Sequence, residues 1–458
     1  MAVETFLCYS RPMSEEYYDR ILKTLSPAKP DDFEVYHERV ESLRFEAKDG
    51  AIEASLAAVQ NGLALRVFRD GRMAFACSTD TSPAGIDLLV RSAIDILPYV
   101  DREPDQPLPS APGPLPTVEL KAFDEALSVV ANSRKIQMAL ELEAAARGVH
   151  AKIRHVRSAS YEEKRSESRL RNSRGLDLAF RRSRCSLGVM AVAEQGEEAE
   201  AAYEFDSSPF LDRLDPQKVG VAAGRLALSY LGATTPSTRR VPVVLDPLVT
   251  GEILEVLAGS FPGEAVFKKR SFLEGKLGQR IYSPSLQVLD DSLLPEGAAS
   301  SPFDGEGQPG RRLALIEDGV VKNFLLDRLY ARKLGLEPNG SAVRRGIQRA
   351  PQIGFSNLFI PAGSLSDEAI FREVGEGILV TETFGMHAAN PVTGDFSVGI
   401  QGFLIEAGEK RGAVKKLVLA GNLHEMMNSL RALGSRHRFH GNIGAPTLAI
   451  EAMAIGGS

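Results

Sequence analysis

The chain has no tryptophan and only three cysteines, Cys8, Cys77 and Cys185, among its 458 residues. An odd number without metal-like spacing argues against a disulfide framework or a cysteine-built zinc module, and suits free thiols in a reducing compartment. Long apolar runs are also missing. No stretch reaches the length a bilayer requires, and the opening MAVETFLCYSRPMSEEYY lacks the basic start and sustained apolar centre of a secretory leader. The expected location is therefore the cytoplasm, with no membrane partner. Nor is there an excess of positive charge. With 54 Lys+Arg against 60 Asp+Glu the formal net charge is -6, so no overall field draws the protein directly to nucleic acid. The short basic runs Lys268-Lys269-Arg270 and Arg344-Arg345 read as solvated surface, as does the acidic turn Glu194 to Glu198.

What is present is the balance of a folded protein, 43% hydrophobic and 25% charged. The length exceeds what one core organises, so two or three domains are expected. Helical spacing of Tyr18, Ile21, Leu22 and Leu25 behind a Ser14 cap predicts an opening helix. Alternation from Phe33 to Phe45 predicts a strand, and Leu63–Phe68, Asp70-Gly71, Met73–Ala76 a hairpin on a type I′ turn. A helix follows from Pro83 to about Leu97. Residues 101–117 carry six prolines and read as an extended connector. Beyond it, Phe123 to Ala146 reads as one long helix, Lys152 to Glu204 as antiparallel strands, and Pro216 to Leu231 as a helix. The polar run at 234–238 marks the domain boundary. This places an α+β domain at 1–235, with the connector inside it, and a β-rich domain at 236–458. The fold class is α+β, with mixed and antiparallel sheets flanked by helices.

The motifs give little chemistry by themselves. His424-Glu425-Met426-Met427-Asn428 begins like a zincin helix, but Asn428 stands where the second histidine should be, so a capped surface helix after Asn422 is expected. His437 and His440 would share a helical face with His424 nearby, yet no carboxylate or cysteine completes a metal set, and the arginines and glycines around them predict an exposed loop. His387, Asp395 and Ser397 lie in one strand-turn-strand without a nucleophile elbow around Ser397. A structured, ligand-contacting loop is the simpler reading. Phe303-Asp304-Gly305-Glu306-Gly307 lacks the context and ending of a phosphate loop.

Four stretches together resemble the PmbA/TldE branch of the TldD/PmbA family, also known as modulators of DNA gyrase. These are Leu254 to Gly278 (LEVLAGSFPGEAVFKKRSFLEGKLG), Ser301 to Gly307 (SPFDGEG), Gly385 to Glu406 (GMHAANPVTGDFSVGIQGFLIE) and Ala420 to Leu423 (AGNL). The N-terminal Glu41-Ser42-Leu43-Arg44 and Gly62 to Phe68 are similar to the same family, so the resemblance covers nearly the whole chain and implies a two-domain PmbA/TldD-like fold. In the catalytic branch a helix carries His-Glu-x-x-x-His and a late cysteine completes the zinc site. By distance from Gly259 that hexad falls on Glu255 to Ser260 here. Glu255 and Ser260 replace the histidines, Val256 replaces the general base, and no cysteine follows Cys185. The resemblance thus implies a non-catalytic chain without metal or cofactor, zinc being expected only in a TldD-like catalytic partner that cleaves small or unfolded peptides. It places the loop residues His387, Asn390, Thr393 and Asp395 near a shared peptide channel. A homodimeric binding or regulatory protein of the gyrase-modulator type is the alternative. A peptidase with an unrelated metal site at His424, His437 and His440 is a third reading.

Overall fold

The computed structural model describes residues 15–103, 105 and 114–457. Cys8, the Ser14 cap and most of the proline-rich connector lie outside the described residues. Six strands, β1 (Asp32–Lys48), β2 (Ala51–Arg69), β3 (Arg72–Ser78), β4 (Ile153–Asn172), β5 (Asp177–Gln195) and β6 (Glu198–Ser208), form one sheet in the order β3-β2-β1-β4-β5-β6. Every pairing in it is antiparallel. The β2–β3 turn is the predicted one, Asp70 and Gly71 having φ of 52° and 70°, the pair of positive values a type I′ turn demands. Strand β2 starts twelve residues before the expected Leu63. Its first half escapes a periodicity argument because both of its faces are exposed.

Helices α1 (Glu15–Leu25) and α2 (Pro83–Ile96) bury Ile21, Leu25, Ile86, Leu89 and Val90 against Val35, Leu63, Leu65 and Val67. Ser82 caps α2 by accepting from Gly85 N, and Pro83 sits where a missing N–H is harmless. Helices α3 (Asn132–Arg147) and α4 (Pro216–Tyr230) cover the β4–β6 half through Met138, Leu142, Val219 and Ala223 on Tyr161, Leu187 and Val189. The single helix expected from Phe123 is two pieces. Asp124 accepts from Ala126 N and closes a short turn at Glu125–Ser128, and Ala131 is extended before α3 begins.

The C-terminal half holds β7 (Arg239–Leu245), α5 (Pro247–Ala258), α6 (Gly263–Phe267), β8 (Val288–Asp291), β9 (Arg312–Glu317), β10 (Val320–Val321) and α7 (Arg328–Leu334). It continues with β11 (Ala342–Val343), β12 (Gln352–Ile353), β13 (Leu358–Phe359), α8 (Asp367–Val374), β14 (Gly377–Phe384), β15 (Asp395–Glu406), β16 (Glu409–Asn422), α9 (Leu423–Asn428), β17 (Leu430–His440) and β18 (Ile443–Gly456). Strand β18 pairs with β16 and also with β7, so the path β7-β14-β15-β16-β18 returns on itself. A closed ring of strands has no free edge within it. Helix α5 packs Ile253, Leu254 and Leu257 into the same core as Val243, Leu245, Ile378 and Val380.

Among the contacts between the halves are one built on aromatic stacking and one on buried charge. Tyr230, at the end of α4, stacks on Phe403 of β15 at 5.5 Å between centroids and shares a 2.8 Å hydrogen bond with Thr381 Oγ1. On the other face of the first sheet, directly opposed Glu34 and Arg66 are 1% and 3% exposed. Arg66 donates to both Glu34 oxygens at 2.9 and 2.8 Å. Arg344, from the C-terminal half, also donates to Glu34 and to Gly305 O. Burial alone would raise the Glu34 pKa, but the two guanidiniums hold it below the ordinary carboxylate value. Glu306 lies 4.0 Å from Arg66, and burial pushes both Glu306 and Asp304 upward.

A buried charge deprived of its partner is costly, about 3–5 kcal/mol. Arg344→Met should therefore lower urea-unfolding stability by about that amount at pH 7. Because the Glu34 pKa is depressed, its share of the stability is present above the unfolded carboxylate range and is lost as acid protonates it. The difference between wild type and variant should accordingly shrink at low pH; a loss below ~1 kcal/mol at pH 7 would contradict this account.

Candidate functional site

Helix α5 begins at Asp246, whose carboxylate accepts from Leu248 N, and ends at Gly259. Its apolar positions face the core, which fixes where the hexad positions point. Glu255 is exposed, Val256 is half-buried against the core, and Ser260 is 1% exposed. Ser260 Oγ donates to Pro391 O at 3.1 Å, and Ser271 Oγ donates to Ser260 O at 2.5 Å. Zinc is held by imidazole, thiolate or carboxylate donors. Of the three positions only Glu255 offers one, and the Ser260 hydroxyl is spent on the 391 carbonyl. Among the described residues no three His, Cys, Asp or Glu side chains are close enough to hold a metal ion. The residues present do not fit the zinc set of the family motif.

The loop that Ser260 grips is the one that carries Asn390, Thr393 and Asp395. Asn390 Oδ1 accepts from Val392 N and Thr393 N, and the Thr393 hydroxyl donates to Asp395 Oδ2 at 2.8 Å. Asn422 donates to Thr393 O and to Asp395 Oδ1, both at 2.8 Å, while its own oxygen caps α9 at His424 N and Glu425 N. The loop therefore holds its backbone through its own side chains, which is why Asn and Thr recur in it. His387 stands exposed on it, and among the described residues no hydrogen bond joins His387, Asp395 and Ser397. Gly394, with φ of 83°, leaves room for a ring: a Cβ there would meet His424 Cδ2 at 2.6 Å.

That ring corrects the expectation of a surface helix. The cap at Asn422 is as expected, but α9 buries Leu423, His424, Met426 and Met427. His424 accepts or donates through Nδ1 to Tyr282 OH at 2.9 Å and stacks on Phe272 at 3.5 Å. His437 and His440 are not on a helix or in a loop but on strand β17, and their odd spacing turns them to opposite faces. His437 pairs with Ile360 O at 3.0 Å, and His440 packs on Phe205 at 4.8 Å. Each histidine has a separate neighbourhood.

A cavity of about 680 Å³ opens between the two halves. Its walls are β6 and α4 from the first domain and α5, α8, β14 and β17 from the second. Tyr203, Phe205 and His440 form an aromatic shelf, with ring spacings of 6.0 and 4.8 Å. Arg438 bridges to Glu204 at 2.5 Å, and Arg436 joins Asp246 at 2.9 Å and Asp367 at 2.6 Å. Glu252 receives the Thr383 hydroxyl, and burial raises its pKa. Glu382 is raised by burial and then by Glu252. Lys410, on β16, is lowered by burial and by Arg436. Arg436, Arg438 and His440 recur every second residue, the strand signal that could have found this wall; the glycines beside them led to a loop reading instead. Glu255 borders a small recess at the same wall with Glu252 and His440. Of the hydroxyls that line the cleft, Ser229 Oγ donates to Leu226 O and Thr381 Oγ1 shares a hydrogen bond with Tyr230 OH.

Fold and site together define an α+β protein of mixed and antiparallel sheets flanked by helices, with a cleft between its two halves lined in part by α5. The chain matches the PmbA/TldA metallopeptidase domain 1 over residues 33–97, the central domain over 125–231 and the C-terminal domain over 238–457. It belongs to the PmbA/TldD metallopeptidase family. It is 29% identical to metalloprotease PmbA of Escherichia coli O157:H7 over 453 residues, 98% of this chain and 97% of that one. A candidate modulator of DNA gyrase from Bacteroides thetaiotaomicron superposes with a TM-score of 0.87 at 25% identity, covering 97% of this chain and 99% of that one. TldE from Thermococcus kodakarensis gives the same TM-score at 22% identity, over 96% and 100% of the two chains. No helix of the described residues is long and apolar enough to cross a membrane.

Burial, then the Lys276 charge, pushes His424 down to about 4. The ring should be neutral at pH 7, and its nuclear magnetic resonance signals should stay constant from pH 8 to about 5. Between 6.5 and about 4 the unfolded chain takes up a proton that the folded one refuses, so His424 makes stability fall as pH falls. A ring titrating near 6.5 would show that the α9 packing is wrong.

Proposed function

We propose that this chain is the non-catalytic, TldE-like subunit of a cytoplasmic TldD-type zinc peptidase acting on small or unfolded peptides. The observation that carries the reading is the state of the hexad positions: Glu255, Val256 and Ser260 supply neither two imidazoles nor a base, and Ser260 is tied to the loop carbonyl of Pro391. A valine cannot take a proton from a metal-bound water. What such a chain contributes is surface: part of the peptide path, with the cleft and the loop of His387, Asn390, Thr393 and Asp395 as its lining, and stability for a catalytic sister that holds the zinc. The family membership and the TldE-named structural relative support the reading. A gyrase-modulating role rests on the names of structural relatives such as the Bacteroides protein and ranks second.

The test is reconstitution with a sister chain bearing His-Glu-x-x-x-His. The isolated chain should not hydrolyse casein-derived peptides; co-expression with the sister should yield a mixed dimer whose hydrolysis is abolished by chelator. Glu255→Ala and Val256→Ala in this chain should leave the mixed dimer's rate within about twofold, since neither supplies a donor to the metal. Chelator-sensitive hydrolysis by the isolated chain, or a failure of the two chains to associate, would contradict the proposal.

A further inference from the structure

Glu252 of α5 and Glu382 of β14 line the cleft between the halves without a cation to hold them. Glu252 takes only the Thr383 hydroxyl, and among the described residues Glu382 has neither a hydrogen bond nor an ion pair. The cations of the cleft are engaged elsewhere. Arg438 is held by Glu204, and Arg436 by Asp246 and Asp367. The Lys410 ammonium lies over the Phe403 ring at 3.5 Å, and the charges acting on it are Arg436 and Asp246. Arg225 is exposed on α4. The charged groups that act on Glu252 are His440 and Glu255, and those on Glu382 are Glu252 and Glu200. Two half-buried carboxylates thus repel each other across a cleft, a cost that an incoming cation removes.

The surroundings decide what kind of cation fits. A metal ion needs a third donor of its own kind, and among the described residues no such set exists. Beside the carboxylates lies the aromatic shelf of Tyr203, Phe205 and His440, and His440 shares the small recess at the end of that shelf with Glu252. Tyr203 is 49% exposed and open to a ligand. An aromatic face accepts a methylene stem and attracts the cation at its end. The volume of about 680 Å³ lies within the range of about 300–1,000 Å³ typical of ligand pockets, which also favour the junction between domains. A bare inorganic ion would leave most of that space and the shelf unused.

We infer that the cleft takes an alkylammonium or guanidinium group of a peptide, its stem laid on Tyr203 and Phe205 and its charge shared between Glu252 and Glu382. The inference rests on the reading of this cleft as part of a peptide path and gives that path a preference for positive charge. A lysine or arginine side chain and a free amino terminus are the two sources of such a group.

Calorimetric titration of the purified full chain, with no sister chain present, tests this. The probes are alanine pentapeptides blocked at both ends, with lysine, arginine, glutamine or glutamate at the centre, and an all-alanine pentapeptide with a free amino terminus. The lysine and arginine peptides should bind at least about tenfold more tightly than the glutamine peptide, and the glutamate peptide more weakly still. Glu252→Gln and Glu382→Gln should each reduce lysine-peptide affinity by about tenfold and change glutamine-peptide affinity by less than about twofold. Asp95→Asn, which removes an equal charge from an exposed position of α2, should leave both affinities unchanged. Because neither cleft carboxylate holds an ion pair, both variants should melt no lower than wild type, which separates lost binding from lost folding. Tight binding of the free-terminus peptide alone, lost in the same two variants, would place a terminal ammonium on these carboxylates in support of the inference. No binding by any peptide, equal affinity for the lysine, glutamine and glutamate peptides, or a lysine affinity indifferent to both variants would overturn it. Since no sister chain takes part, the result is independent of whether a mixed dimer forms or cleaves.

Discussion

The buried charge cluster around Glu34 decides how the two halves of the chain meet. Its members come from opposite ends of the sequence: Glu34 and Arg66 from the first sheet, Arg344 and Glu306 from the C-terminal half. Taking these charges out of water is favourable only if every one finds a partner, which makes the geometry all-or-nothing. Tyr36 and Ala64 share that face of the sheet and pack on Phe303 of the same SPFDGEG segment. The motif that resembles a phosphate loop in composition is therefore a docking element. Its glycines let backbone approach, and its carboxylates face arginine across the domain junction.

Once that junction is fixed, the rest of the site follows. Tyr230 on the opposite face of the first sheet is brought onto Phe403, and the cleft lies below, between β6, α4 and the start of α5. Helix α5 has its cap, Asp246, tied by Arg436, and its far end, Ser260, tied to the 391 carbonyl. A helix pinned at both ends holds its exposed residue, Glu255, in a defined place without giving it chemistry. The Asn390–Asp395 loop is fixed by Asn422 in the same manner. These ties suit a rigid lining surface.

Much of this was legible in the sequence, for stated reasons. The Asp70-Gly71 turn, the Ser82-Pro83 helix start and the Asn422 cap are local devices whose residues act on their own backbone. The family motifs also located α5 and the loop. What escaped was what depends on distant contacts. Ring closure by β18 is invisible in a strand pattern, since alternation does not say which neighbour is paired. Residues 53–60 show no periodicity because no core covers them. His437 and His440 looked like helical neighbours at spacing three, but the strand period turns them apart. His424 looked like a surface residue and proved to be a core ring, filling space that Gly394 leaves open.

The central claim is that this member of a metallopeptidase family carries the family's architecture without its metal chemistry. Zinc content per chain, measured by elemental mass spectrometry on protein purified without chelator, tests it most directly. The account predicts negligible zinc in the isolated chain; a near-stoichiometric amount would contradict it and return attention to the histidines of α9 and β17.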